Sequence, residues 1–328
     1  MSRPLPLAVA FALPILFTSV GKCQTYITFD PPGGINTQPS AINGLGTVIG
    51  NYMDQSTFTQ HGFLRSPQGT FTQIDAPNAG GTIPLSLNDS GAITGWYFDI
   101  FNASIHGFIR TPQGGYTDFD PPLAVETHAV SINGSGAITG FYNDGITYFF
   151  HGFLRDPAGA FTEFDPPGST NTVPLAISAK GVIAGYYQDT TGTHGFIRDP
   201  QGTFTSFDAP AGVIASTFIN AEGAITGTYQ DSQSHGFLRR PDGKVTTLDP
   251  PGSVGTGASS INVVGTVAGS YQDGSVIYGF LRNAQGVFTT FAVPGSTFTG
   301  VSGLNGTDVI TGTYKDTNGV THGFVRLP

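Results

Sequence analysis

The chain has 328 residues, of which 38% are hydrophobic, 12% aromatic and only 11% charged, and its net charge is −9. This acidic balance disfavours a nucleic-acid partner, because such binding relies on clustered lysine and arginine. Glycine (47) and proline (23) are abundant, but the 26 phenylalanines and 12 tyrosines alternate with Thr, Ile and Val. Such alternation is typical of half-buried strands, so we expect an all-β globular protein.

The first 23 residues have the features of an export signal. Arg3 supplies a positive start, and residues 5–20 are almost wholly apolar with two interior prolines. This length suits a signal peptide better than a membrane span. We therefore predict a signal peptide over residues 1–23 and a secreted or cell-surface protein with no transmembrane segment. A lipid anchor on Cys23, the only cysteine, is the alternative, although Lys22 occupies a position where a small residue is expected.

After the signal, one pattern recurs seven times, with a spacing of 41 to 45 residues. The first anchor is His-Gly-Phe-apolar-Arg, which begins at His61, His106, His151, His194, His235 and His322, and at Tyr278 with Tyr in place of His. The second is an Asp that follows an apolar residue, at Asp30, Asp75, Asp120, Asp165, Asp208 and Asp249. The third is Tyr-x-Asp, which ends at Asp54, Asp99, Asp144, Asp189, Asp231, Asp273 and Asp316. Three independent anchors at one period establish a repeat architecture.

Each repeat unit contains four strand-sized segments separated by turn signals, as in a propeller blade. In the first complete copy, the pattern predicts strands over 39–43, 47–54, 61–65 and 70–75, and a crossover over 76–81. The Pro and Gly of the tight turns fix or permit the backbone angles that such turns need.

The two ends of the chain carry complementary fragments of a unit. Residues 26–30 match a fourth strand, whereas residues 321–326 match a third strand with no fourth after it. Pairing them removes a free sheet edge. We therefore predict one domain over residues 24–328, a seven-bladed β-propeller of four-stranded antiparallel blades. The N-terminal strand closes it by pairing with the C-terminal segment.

These units resemble the extracellular repeats of the HAF family, which is named for a His-Ala-Phe tripeptide that here is His-Gly-Phe. The resemblance covers essentially everything after the signal. It implies a secreted or surface protein with a β-propeller-like fold, and it implies no established activity or site.

The predicted strand order gives the molecule two different faces. The Tyr-x-Asp loops and the crossovers share one face, here called the loop face, and the Asn-x-x-Gly and Arg-x-Pro-x-Gly turns share the other, the turn face. Loops on the first vary in length and composition, as recognition loops on a rigid scaffold do. We expect the loop face to be acidic and the turn face to be more basic.

The repeated histidines have a structural and a metal-binding interpretation. One His and one Asp per unit are spread around a ring, whereas a metal ion needs converging ligands. We expect each His to hydrogen-bond the Tyr-x-Asp carboxylate across its hairpin, as His194 with Asp189. No metal and no cofactor is predicted.

A unique site must break the repeat, and two segments do so. Glu126-Thr-His128 replaces the usual start of a first strand, and Trp96, the only tryptophan, lies three residues before Asp99. We predict that Trp96, Asp99, Glu126 and His128 surround a ligand site on the loop face. Ordinary drift at exposed positions is the competing explanation.

The sequence thus favours a monomeric binding or scaffold module for an extracellular glycan, peptide or protein, without catalytic activity. The alternative is a carbohydrate-active lyase or hydrolase, with Glu126 and His128 as acid and base. A third possibility is a purely structural surface protein.

Overall fold

The computed structural model describes residues 24–328, so the predicted signal peptide and Cys23 lie outside the described residues. Those residues form 28 strands. The chain begins with β1 (Thr25–Phe29). Unit 1 follows and comprises β2 (Gly34–Ile42), β3 (Val48–Asp54), β4 (Gln60–Arg65) and β5 (Phe71–Ile74). Units 2 and 3 comprise β6 (Ala79–Leu87), β7 (Ile93–Asp99), β8 (Ser104–Arg110), β9 (Tyr116–Phe119), β10 (Glu126–Ile132), β11 (Ile138–Asn143), β12 (Phe150–Arg155) and β13 (Phe161–Phe164).

The remaining units continue the same plan. Units 4 and 5 comprise β14 (Asn171–Ile177), β15 (Ile183–Gln188), β16 (Thr193–Arg198), β17 (Phe204–Phe207), β18 (Val213–Ile219), β19 (Ile225–Gln230), β20 (Ser234–Arg239) and β21 (Val245–Thr247). Unit 6 comprises β22 (Gly255–Ile261), β23 (Val267–Asp273), β24 (Val276–Arg282) and β25 (Phe288–Phe291), and unit 7 begins with β26 (Phe298–Leu304), β27 (Ile310–Lys315) and β28 (Thr321–Leu327). No helix long and apolar enough to cross a membrane occurs between residues 24 and 328.

Within each unit, the four strands pair antiparallel in chain order. Unit 7 obtains its fourth strand from the start of the chain, because β1 pairs with β28 and Thr28 lies opposite Phe324, as predicted. Single parallel pairings such as Gln60 with Gly81 join some neighbouring units. The strands therefore gather into several sheets, of 12, 8, 4 and 4 strands, rather than one closed sheet.

The first strands are longer than the sequence pattern predicts. β2 begins at Gly34 and β6 at Ala79, inside segments interpreted as crossovers. The crossover is shorter because its last residues already pair with the end of the second strand, as Gly34 does with Asp54. The Tyr-x-Asp loop and the crossover consequently lie side by side, and the backbone N–H of Gln55 donates to the carbonyl of Gly33.

The core of each unit is built around the phenylalanine of the His-Gly-Phe anchor. These side chains are almost completely buried in every unit: Phe63, Phe108, Phe153, Phe196, Phe237, Phe280 and Phe324. Burying one such side chain stabilises the fold by about 1.5–3 kcal/mol. The anchor thus recurs because every unit needs the same apolar filling.

From the sequence, glycines of the Gly-x-Ile-x-Gly pattern, such as Gly91 and Gly95, are expected to allow close approach of neighbouring sheets. The structure gives a different contact for the glycine that lies two residues before the Tyr of Tyr-x-Asp. At Gly95 and Gly140, an added Cβ would overlap the carbonyl oxygen of the first strand of the same unit. The register shifts beside these contacts, for example between Ala129 and Ser131. A β-bulge therefore brings the two backbones together, so the close approach occurs within a unit and not between neighbouring sheets.

A chain of buried asparagine side chains links one unit to the next. Each Asn Oδ1 accepts N–H groups of its own turn, as expected for an Asx turn. Each Nδ2 also donates to the backbone carbonyl at the same position of the next unit, an interaction the sequence did not reveal. The six links are Asn43 to Asn88, Asn88 to Asn133, Asn133 to Ser178, Asn220 to Asn262, Asn262 to Asn305, and Asn305 back to Asn43.

The asparagine chain predicts a stabilising substitution. Ser178 is the one position without an amide, so no link reaches the carbonyl of Asn220. Ser178→Asn should supply that hydrogen bond and raise the free energy of unfolding by about 1 kcal/mol. Urea denaturation measures the change, and the reciprocal Asn133→Ser variant should lose a similar amount or more. A stability unchanged in both variants would contradict the role of these amides.

Arginine side chains also join neighbouring units, on the turn face. The guanidinium of Arg155 lies 4.9 Å from the ring centroid of Phe119 in unit 2, and that of Arg198 lies 4.9 Å from Phe164 in unit 3. Such cation–π contacts stabilise by about 0.5–1 kcal/mol or more when partly desolvated. The repeated arginines are therefore used locally in packing.

Candidate functional site

The first strands of all seven units line one cavity of about 850 Å³. On β2 the lining extends from Gln38 to Ile42, so the cavity follows much of that strand. Serines contribute hydroxyls from several units: Ser40, Ser86, Ser131, Ser216, Ser259, Ser260 and Ser302. Among the described residues, no Asp, Glu, Lys, Arg or His lines it. The cavity lining is therefore uncharged and combines these hydroxyls with many apolar side chains, in a chain that is strongly acidic overall.

Three of the four predicted site residues meet beside this cavity. Trp96, on β7, lines the cavity wall, and its ring centroid lies 5.2 Å from that of His128 on β10, edge to face. His128 Nε2 lies 2.6 Å from a carboxylate oxygen of Glu126, so the two form a hydrogen bond. Both residues point to the same side of β10, because side chains alternate along a strand.

Two further aromatic residues complete the surroundings of His128. Phe141 stacks on the imidazole with centroids 4.7 Å apart, and Phe150 lies edge-on to Phe141 at 5.0 Å. The His128 side chain is mostly buried among these rings, while Glu126 is partly exposed. The arrangement presents a carboxylate to solvent and holds it against an imidazole fixed by packing.

Asp99 does not join this group. It lies on β7 three positions after Trp96 and therefore points to the opposite side of the strand. Its carboxylate accepts the backbone N–H of Phe101 and the side-chain amide of Asn102. It also borders a separate small pocket of about 180 Å³. The Asp99 carboxylate therefore stabilises the loop that follows β7 by accepting its N–H groups.

The repeated histidines bond a different aspartate from the one predicted. In each of six units, His Nδ1 pairs with the Asp that ends the fourth strand: His61 with Asp75, His106 with Asp120, His151 with Asp165, His194 with Asp208, His235 with Asp249, and His322 with Asp30. The Tyr-x-Asp carboxylate is the more distant neighbour, since Asp189 lies 3.4 Å from His194 Nε2. The strand register decides the partner, because Asp208 lies opposite His194 across the third and fourth strands, whereas Tyr187 lies opposite it on the second.

The exceptional unit supports this pairing. Unit 6 has Tyr278 in place of His, and it also has Ala292 where the other units have the partner Asp. Tyr278 lies next to Gly279, which pairs with Phe291, so positions 278 and 292 are adjacent across the strands. Histidine and aspartate are thus absent together. The pair behaves as one structural element of the repeat.

The hydrogen bonds of these groups shift their ionisation. The bond to Asp208 raises the pKa of His194, and the bond to Asp249 raises the pKa of His235. The hydroxyl of Ser56 and the backbone N–H groups of its loop lower the pKa of Asp54 to about 2. Donors from the loops likewise lower the pKa of Asp144. The loop carboxylates therefore stay ionised at neutral pH.

One group of side chains within residues 24–328 has the composition of a metal site. His151, Glu163 and Asp165 each place a donor atom within 4.8 Å of the others. His151 and Asp165 form the hydrogen-bonded pair that recurs in five other units, and Glu163 is exposed on β13. The proximity of the three side chains therefore follows from the repeated His–Asp hydrogen bond and from the neighbouring carboxylate of Glu163, without any need for a metal-binding role.

Sequence reasoning missed Phe141 and Phe150. A signal for Phe141 was present, because the position between Gly and Tyr in the second strand differs among units. It is Asn51, Trp96, Phe141 and Tyr186 in units 1–4, but Thr228, Ser270 and Thr313 in units 5–7. Comparing this position across the repeats would have shown that bulky side chains concentrate in one half of the molecule.

No family model matches the chain, and no curated protein matches it in sequence. The resemblance to HAF repeats therefore rests on the tripeptide and its period alone.

Solved structures do resemble the chain. It is similar to the β-propeller domain of the Trilobed protease from Pyrococcus furiosus, with 11% identity, a TM-score of 0.66, and coverage of 89% of this chain and 95% of that one. It is also similar to a streptogramin B lyase, with 10% identity, a TM-score of 0.60, and coverage of 92% and 97%. A catalytically inactive histidine-to-alanine variant of virginiamycin B lyase from Staphylococcus aureus, with quinupristin, matches at 11% identity, a TM-score of 0.61, and coverage of 92% and 99%. At these identities the likeness shows the fold alone, and the chain is an all-β protein with a β-propeller-like fold.

Proposed function

We propose that the mature chain, residues 24–328, is a secreted or cell-surface seven-bladed β-propeller that acts as a monomeric binding module. Seven four-stranded units, each contributing its first strand to one cavity, support the blade count. The pairing of β1 with β28 and the amide link from Asn305 to Asn43 support closure of the ring. Removal of residues 1–23 as a signal peptide belongs to the same proposal.

The cavity lined by the seven first strands is here called the axial cavity. The ligand proposed for it is an uncharged molecule rich in hydroxyl groups, such as a neutral oligosaccharide. The observation that carries this is the uncharged lining, which combines serine hydroxyls with the amides of Gln38, Asn51 and Gln60. Hydroxyls and amides both donate and accept hydrogen bonds, so they match sugar hydroxyls without a charge to neutralise. Trp96 adds a broad apolar surface, and mixed apolar and polar linings are typical of small-molecule sites.

A second candidate function is a lyase or hydrolase that acts on carbohydrate, with Glu126 and His128 as acid and base. The 2.6 Å hydrogen bond between them favours it, since general acid–base catalysis needs groups within that reach. Among similar structures, a lyase becomes inactive when one histidine is replaced by alanine. A substrate for this reaction would have to reach Glu126, the exposed member of the pair.

A binding assay on residues 24–328 separates these functions. Neutral and acidic oligosaccharides of equal length are titrated by calorimetry, and their products are followed by chromatography. Trp96→Ala should weaken binding of a neutral oligosaccharide about tenfold or more, because aromatic anchors dominate such sites, whereas Trp96→Phe should retain most of it.

The outcomes have distinct meanings. Binding by the parent without any cleavage product, and equal binding by Glu126→Gln, supports a binding module. Cleavage of a saccharide by the parent, lost in Glu126→Gln, would instead establish the enzymatic alternative. Failure of every neutral saccharide to bind would refute the proposed ligand class.

A further inference from the structure

Exposed apolar side chains concentrate on the loop face of units 1–3. We call the most exposed large apolar side chains of the loops and crossovers of these three consecutive units the loop-tip patch, which comprises Phe58, Ile100, Phe101, Leu123, Ile146 and Tyr148. Phe58 is 69% exposed, Phe101 74% and Tyr148 81%. The corresponding loops and crossovers of the later units expose only valines among their large apolar residues, at Val213, Val254 and Val320. Large exposed apolar patches on a soluble protein mark interaction sites.

Two of these aromatic residues occupy strained backbone positions. Phe58 has a φ of 56° and Tyr148 a φ of 60°, in the left-handed region that favours glycine. Unit 7 has Gly319 at the same position, three residues before the anchor histidine, with a φ of 80°. A bulky side chain at such a position costs about 1 kcal/mol, and such strain clusters at functional sites. The backbone conformation of these loops therefore gives no reason for an aromatic residue at positions 58 and 148.

Carboxylates lie at the base of the same loops. Asp54, Asp99 and Asp144 cap the loops that carry Phe58, Phe101 and Tyr148, and loop donors lower the pKa of Asp54 and of Asp144. Within residues 24–328, Lys315 is the only lysine or arginine at the loop face, since the others lie at the turn face. An apolar patch on an acidic face is therefore complementary to a partner that carries both positive charge and apolar groups.

We propose that the loop-tip patch docks a basic segment of a protein partner, rich in lysine or arginine and in apolar residues. The cationic heads would lie over the rings of Phe58, Phe101 and Tyr148 and beside the loop carboxylates, while their aliphatic stems cover the apolar surface. This interaction surface is formed by the loop tips, whereas the proposed ligand site is the axial cavity beside Trp96. Either can exist without the other.

The test uses two labelled twelve-residue peptides, one of alternating Arg and Leu and one of alternating Glu and Leu, titrated into residues 24–328 by fluorescence anisotropy. We expect the Arg-Leu peptide to bind and the Glu-Leu peptide to bind at least about tenfold more weakly. The double variant Phe58→Gly with Tyr148→Gly should lose about tenfold or more in affinity for the Arg-Leu peptide. Its thermal stability should be unchanged or higher, because glycine relieves the left-handed strain.

A matched control comes from the turn face. Leu45 is also highly exposed, so Leu45→Ser should leave peptide affinity unchanged. Equal binding of the two peptides, or undiminished affinity in the folded double glycine variant, would overturn the proposal. A Leu45→Ser variant that weakens binding as much as the double variant would also overturn it, because the effect would then not belong to the loop tips.

Discussion

Replacing Phe29 by alanine is expected to lower the free energy of unfolding by about 3–5 kcal/mol, the usual cost of removing a buried aromatic side chain. Phe29 is the last residue of β1 and is only 8% exposed. Its ring lies edge-on to Phe63 of unit 1 at 6.0 Å, and the guanidinium of Arg65 lies 5.0 Å from its centroid. The side chain therefore joins the first strand of the chain to unit 1, while its backbone belongs to unit 7.

A matched variant distinguishes the loss of a buried ring from the loss of the pairing between β1 and β28. Phe119 has the same place in unit 2, the same 8% exposure, and equivalent contacts with Phe153 and Arg155. Phe119→Ala should cost a similar amount in urea denaturation, but a short turn joins β9 directly to β8 of its own unit. Only Phe29→Ala should speed hydrogen exchange of the β1 and β28 amides, because pairing with β28, and not a hairpin connection, holds β1 in unit 7. Equal exchange in the two variants would show that Phe29 does not secure the closure.

The second large effect is expected from Gly140→Ala. An added Cβ would overlap the carbonyl oxygen of His128, a backbone atom that cannot rotate away. The strand or the bulge beside it must shift, and we expect a loss of about 3 kcal/mol or more in the free energy of unfolding. The shift would also move His128 relative to Trp96, so intrinsic tryptophan fluorescence should change along with stability.

Gly134→Ala is the control for that variant. Gly134 lies in the turn just before the same strand, and nothing lies within 4 Å of the position its Cβ would take. Its substitution should change stability by less than about 0.5 kcal/mol. If the two variants were equally stable, the close approach of the first and second strands would not be the reason for the repeated glycine.

The candidate site could be predicted from the sequence only in part. Broken repetition identified Trp96, Glu126 and His128, because any unique feature of a repeat protein has to depart from its pattern. Asp99 was grouped with them through its proximity to Trp96 in the chain, but strand alternation turns it to the other side. The partners of the repeated histidines were misassigned for a related reason. Hairpin spacing suggested Asp189 for His194, but the strand register places Asp208 opposite it.

The period of the three anchors and the fragments at the two chain ends were sufficient to determine the four-stranded units and the pairing of β1 with β28. Periodicity and edge pairing are local properties that appear directly in residue order. The asparagine links, the aromatic contacts of His128 and the uncharged cavity were decided only by tertiary structure. The asparagine links, the cavity and the contact of Trp96 with His128 bring together residues from different units, and their proximity depends on how closely the units approach. The contacts of His128 with Phe141 and Phe150 depend on how the strands of unit 3 pair.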